Sequence, residues 1–180
     1  MSSGSSYPVE LVITAPEPPG AFLAYKTRCR TTLGVLSQLL TESKNRVLIG
    51  APFIQPGYGL SDGVLFAAME SALRRGVSVD ILSSAISLGH VDRDRLLCGA
   101  TGNLQLYRPS DTLTVDQRLG SHAKFCVADG TTAYVGSANL TGPGLSSQLE
   151  LGLLVHGDIA QQIEEFWDYI IEAGIFVPVP

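Results

Sequence analysis

Residues 121–139 read SHAKFCVADGTTAYVGSAN. Two β-prone runs, Ala123 to Ala128 and Thr131 to Val135, flank Asp129-Gly130. An Asp-Gly pair between such runs is a strong hairpin signal, because both residues tolerate the positive φ of a tight turn. Successive strand side chains alternate between faces, so residues two apart share one. His122 and Lys124 thus point together from the first strand, and Ser137 and Asn139 from the end of the second. An imidazole, an ammonium, a hydroxyl and a carboxamide converge on one patch. The set suits a phosphate: Lys124 supplies charge, Ser137 and Asn139 neutral hydrogen bonds, and His122 a nucleophile or proton carrier. Glu150, the one charge in the apolar run Leu149 to Val155, is a candidate to hold the imidazole in one tautomer. Plainer readings stand beside these. Asp129-Gly130 serves as a turn, Gly136 as a backbone requirement, Asn139 as a cap and Glu150 as an edge-strand guard.

Upstream, Val47 to Gly50 is a short apolar run that reads as a buried strand. Ser61-Asp62 is positioned to cap a helix through Leu65, Met69 and Leu73 to Arg75, stopped by Gly76. Val77 to Leu82 reads as the next strand. Strand, helix and strand with short connections make a βαβ unit and a parallel portion of sheet. Leu33, Leu36, Leu39 and Leu40 predict a helix from Thr31 to Ser43, and residues 90–98 a further one. Leu104 to Tyr107 alternates as a strand. Asp158 is expected to cap a last helix with the apolar stripe Ile159, Ile163, Phe166, Trp167, Ile170 and Ile171. Residues 141–147 read as a loop and Gly174 to Pro180 as a Pro-bearing tail. A short strand is read at Val9–Ile13 within an otherwise Ser-, Gly- and Pro-rich start. The expected class is α/β, a mixed sheet flanked by helices, with residues 1–30 a lead-in arm and 31–180 the domain.

Composition narrows the function. At 45% hydrophobic and 16% charged, the chain can bury a sizeable core and has apolar surface to spare for a partner. A net charge of −5 counts against a protein that wraps DNA, though not against a small basic cleft. Cys29, Cys98 and Cys126 form no C-x-x-C pair and read as packed, idle thiols of a reducing compartment. His90, His122 and His156 lack metal-ligand spacing, so neither metal nor other cofactor is expected. No apolar run reaches the roughly 18 residues of a membrane span, and the start does not read as a secretion signal. A soluble, cytoplasmic protein without membrane insertion is expected.

The spacing H-x-K-x4-D-x6-G-S-x-N, carried by His122, Lys124, Asp129, Gly136, Ser137 and Asn139, resembles the signature of the phospholipase D superfamily. Gln148-Leu149-Glu150 resembles that family's downstream acidic position. The resemblance implies a two-step, metal-free phosphodiester cleavage. One histidine attacks phosphorus to form a phosphohistidine; a second protonates the leaving alcohol and then activates water. It implies catalytic roles for His122, Lys124 and Asn139, supported by Asp129 and Glu150, with Ser137, Gly136 and Arg118 beside the phosphate. The chain holds one such motif: Asp92 stands where a lysine should follow His90, and Asp158 where one should follow His156. Single-motif members pair two copies, so a two-fold homodimer with a shared site is expected. Nucleic acid is the expected substrate. The stretch from Gly136 to Leu145 also resembles phospholipase D-like proteins of bacterial antiviral defence, the DISARM type included, which brings partner proteins of such a system into view. Two alternatives stay open: a phospholipid phosphodiesterase or phosphatidyl transferase, and a nucleic-acid-binding subunit of a defence complex with little turnover.

Overall fold

Val47, Leu48 and Ile49 are fully buried, which places their strand inside the sheet with both faces covered. The structure, a computed structural model, describes residues 9–111 and 120–180. The strands are β1 (Val9–Thr14), β2 (Arg30–Thr31), β3 (Arg46–Gly50), β4 (Ser78–Leu82), β5 (Leu104–Pro109), β6 (Phe125–Ala128), β7 (Thr132–Gly136), β8 (Glu150–His156) and β9 (Phe176–Pro178). They form one sheet in the order β2-β1-β8-β7-β6-β3-β4-β5-β9. β3, β4 and β5 run parallel, while β6, β7 and β8 form an antiparallel meander against β3.

Helices α1 (Pro19–Thr27), α2 (Thr32–Glu42), α3 (Val64–Arg74), α4 (Ala85–Leu88), α5 (Arg93–Leu97), α6 (Gly142–Ser146) and α7 (Asp158–Glu172) complete the chain. α2 and α3 cover one face, joining Val47, Ile49, Cys126 and Tyr134 in the larger core. α7 covers the other, where Leu48, Phe125, Val127 and Ala133 pack with Ala160 and Trp167. The Phe125 and Trp167 rings stack with centroids 4.6 Å apart. The architecture is the mixed, helix-flanked α/β sheet expected.

Several local readings differ. The strand read near Val9 forms, but as an inner strand: β1 pairs with β8 over six residues and with β2 on its other side. The tail supplies β9, whose Phe176 is buried and whose ladder closes the β5 edge. Residues 141–147 contain a helical turn, α6. The helix expected over 90–98 is α5 alone, five residues capped by Asp92. α3 is capped by Gly63 rather than by a side chain, because Ser61 Oγ is engaged by the loop carbonyls of Gln55 and Tyr58. Gly157, not Asp158, caps α7. Cys126 is buried and its thiol pushed up to about 12 by desolvation, so it is inert; Cys98 is exposed and not packed as expected.

Candidate active site

β6 begins at Phe125, so His122 and Lys124 occupy the segment leading into the strand. The ladder already reaches them, since Gly136 N–H donates to the Lys124 carbonyl at 3.1 Å. Lys124 Nζ lies 3.1 Å from His122 Nδ1 and donates to the His122 carbonyl at 2.9 Å. Of the expected convergence, the meeting of His122 with Lys124 is present, by the curl of the Lys124 side chain and not by strand alternation alone. Lys124 is 7% exposed, whereas His122 is open to solvent. Burial lowers the lysine pKa and the negative charge of Glu150 opposes that shift.

Ser137 joins the same end of the sheet. Its hydroxyl donates a short hydrogen bond to Glu150 Oε2 and accepts from Leu151 N–H at 3.1 Å. Glu150 was expected to bond the imidazole; its bonded partner is Ser137, because β8 pairs with β7 across that position. Nδ1 of His122 faces an ammonium instead of a carboxylate. Asn139 Oδ1 is buried with no hydrogen-bond partner among the described residues, an unsatisfied group at the end of β7.

Two expected site residues have other tasks. Gly136 leaves room for the Tyr134 ring: a Cβ there would collide with Tyr134 Oη and come within 2.8 Å of Gly152 Cα. It meets a packing need. Asp129 sits at the opposite end of β6, with φ 53 in the turn. The four residues of β6 alone put roughly 13 Å between it and the segment that holds His122. Its carboxylate accepts from the backbone N–H groups of Lys44, Asn45 and Arg46 at 2.9, 2.8 and 2.9 Å. That is a staple between the hairpin turn and the start of β3. Arg118 lies outside the described residues.

Phe53 was not singled out from the sequence. Its ring meets that of His122 edge-on, with centroids 5.6 Å apart. The available signal was its position just past the carboxyl end of a parallel strand, where α/β sheets bind ligands. His122 stands between two cavities. One, about 340 Å³, includes Phe53, Ser84, Arg108 and Pro109; the other, about 520 Å³, includes Lys124, Val135, Ile159, Phe166 and Trp167. The second opens onto an uncovered stretch of sheet. Leu11, Leu153 and Val135 lie side by side across β1, β8 and β7, all at least 41% exposed, and Leu151 is 58% exposed beside Ser137 and Glu150.

Residues 36–171 match the family model described as "Cardiolipin synthase, PLD-like domain". The chain belongs to the phospholipase D superfamily. It is 32% identical to cardiolipin synthase B of Salmonella typhi over 127 residues, 66% of this chain and 27% of that protein. The chain thus spans about a quarter of the length of that relative. It is 28% identical over 160 residues to the DISARM protein DrmC of Bacillus paralicheniformis, covering 83% of this chain and 58% of DrmC. The human 5'-3' exonuclease PLD4 is 29% identical over 118 residues, 61% of this chain and 23% of PLD4. Among solved structures, the phospholipase D family member Nuc from Salmonella typhimurium shares the fold with a TM-score of 0.63 and 15% identity. The match covers 95% of this chain and 97% of Nuc. Among the described residues, no helix is long and apolar enough to cross a membrane.

Proposed function

We propose that this superfamily phosphodiesterase is a metal-independent nuclease, acting through a phosphohistidine at a site shared by two copies. The observation that carries the reading is the pairing of an exposed His122 with a buried Lys124 ammonium beside Ser137 and Glu150. An incoming phosphate diester is an anion competing for Lys124. As the ammonium turns to it, the imidazole proton passes through solvent from Nε2 to the freed Nδ1, and Nε2 gains the lone pair that attacks phosphorus. The His122–phosphorus bond forms as the bond to the leaving oxygen breaks. The second copy's imidazolium protonates that oxygen, then takes a proton from the water that cleaves the phosphohistidine and regenerates free His122. Lys124 stabilises the charge on the phosphoryl oxygens throughout.

The second copy docks, in this reading, on the uncovered row Leu11, Leu153 and Val135. A two-fold contact there is continuous with the cavity that holds Lys124, so burying the patch brings two motifs together. The kinship with PLD4 supports a nucleic-acid substrate and that with DrmC an antiviral setting with protein partners. One observation favours phospholipid instead: the 520 Å³ cavity is walled by Phe125, Val135, Ile159, Phe166 and Trp167. The deciding experiment incubates the protein with labelled single-stranded DNA, double-stranded DNA, RNA and phosphatidylglycerol vesicles, all in chelator, beside His122→Ala. Cleavage of nucleic acid by the unsubstituted protein alone is expected. Turnover of the lipid alone would overturn the nuclease reading, and activity that needs added metal would overturn the mechanism.

A further inference from the structure

Phe53 and Arg108 take no part in the phosphoryl chemistry, yet both line the cavity on the outer side of His122. Phe53 is 48% exposed with its ring edge-on to that of His122 at 5.6 Å, and loose backbone does not account for its position. Ala51 and Ile54, on either side, are buried. The Ala51 carbonyl accepts a short hydrogen bond from Ser83 Oγ, and the Pro52 carbonyl accepts from Ser87 Oγ at 3.2 Å. The loop is pinned to the segment after β4 with its neighbours turned inward and Phe53 turned out. Arg108 is likewise oriented: its guanidinium donates to both Asp111 carboxylate oxygens, at 2.5 and 2.8 Å. That partner is a surface carboxylate, 75% exposed, so a phosphate can replace it at the same planar fork.

Resting on the nuclease reading, we propose that this cavity is a nucleoside subsite, in which Phe53 stacks on the base next to the scissile phosphate and Arg108 holds an adjoining backbone phosphate. Its volume of about 340 Å³ is at the small end for ligand sites and takes one nucleoside. Pro52, Ala85 and Pro109 supply apolar walls around a planar group, while Ser84 and Ser121 offer hydrogen bonds at its edge. Stacking is tolerant of base identity, because every base presents a π face. The subsite therefore reads nucleic acid against other diesters without reading sequence.

The test compares kcat/KM on an oligothymidylate with kcat/KM on a tetrahydrofuran oligomer of equal length, which keeps every phosphate and lacks every base. The unsubstituted protein is expected to favour the thymidylate by about tenfold or more, the scale of one base–aromatic stack. Phe53→Leu should bring that ratio close to one, and Phe53→Trp should restore it. A purely structural role for Phe53 against His122 would depress both substrates together and leave the ratio intact, which would overturn the subsite. Equal cleavage of both oligomers by the unsubstituted protein would overturn it too, with the nuclease reading still standing. Cleavage of neither would overturn the nuclease reading and this subsite with it.

Discussion

The two ends of the β6–β7 hairpin are built on opposite terms. At the turn end, Asp129 accepts three backbone N–H groups, and Arg46 beside it binds Asp80 and Asp168 at 2.7 and 2.8 Å. One guanidinium there is shared by three carboxylates, Asp80, Glu164 and Asp168, and the network ties β3 and β4 to α7. At the open end, a buried ammonium leans on an imidazole and, among the described residues, Asn139 Oδ1 has no partner and the apolar row beside them is uncovered. The turn end satisfies its groups within the chain; the open end, in the function proposed above, leaves them for a substrate and a second copy. Ends of one hairpin thus divide stability from function, and substitutions at each should separate the two.

The largest contrast is expected from Lys124→Met. It keeps an apolar stem in the buried slot and removes the charge, so cleavage should fall by 100-fold or more, corresponding to about 3 kcal/mol of transition-state stabilisation. Stability measured by urea unfolding should hold or rise, since a desolvated ammonium is lost. Retained activity would remove Lys124 from the site.

At the other end, Arg46→Ala should do the reverse. It strands Asp80, 8% exposed, without its cation, at a cost of about 3 kcal/mol in unfolding free energy. The folded fraction should cleave normally, and a loss of turnover per folded molecule would break the division of labour.

Asp129→Asn is the next step down, about 2 kcal/mol, with a pH signature. Burial raises the Asp129 pKa, but the backbone donors outweigh it and the folded value lies below the ordinary one. A depressed carboxylate contributes stability that is present above its unfolded pKa of about 3.9 and lost as pH falls through its folded value. The gap between Asp129→Asn and the unsubstituted protein should be full at neutral pH and narrow below pH about 4. A gap independent of pH would assign the effect to the turn and not to the charge.

Leu153→Lys should leave monomer stability almost untouched, because its side chain is 45% exposed. It should abolish the dimer in sedimentation and cleavage along with it. A fully active monomer would overturn the shared site.

Local chemistry in the sequence already determined much of this protein. The Asp-Gly turn, the run Val47 to Gly50, the strand after Gly76 and the stripe on the last helix each carry their own periodicity or breaker, and each formed as an element of the expected kind. The pairing of His122 with Lys124 was legible because residues two apart share a face wherever the chain is extended, as the hairpin signal requires here. The partners of Asp129 and Glu150 were not, since they depend on which strand lies alongside. Asp129 reaches residues more than 80 positions away through the β3–β6 pairing, and Glu150 meets Ser137 through β7–β8. The inner position of β1, the closure of the sheet by β9 and the meeting of Phe53 with His122 have the same origin. Spacing along a chain specifies faces and turns, but neighbours across a sheet are chosen by the packing of the whole core, and only the tertiary structure makes that choice.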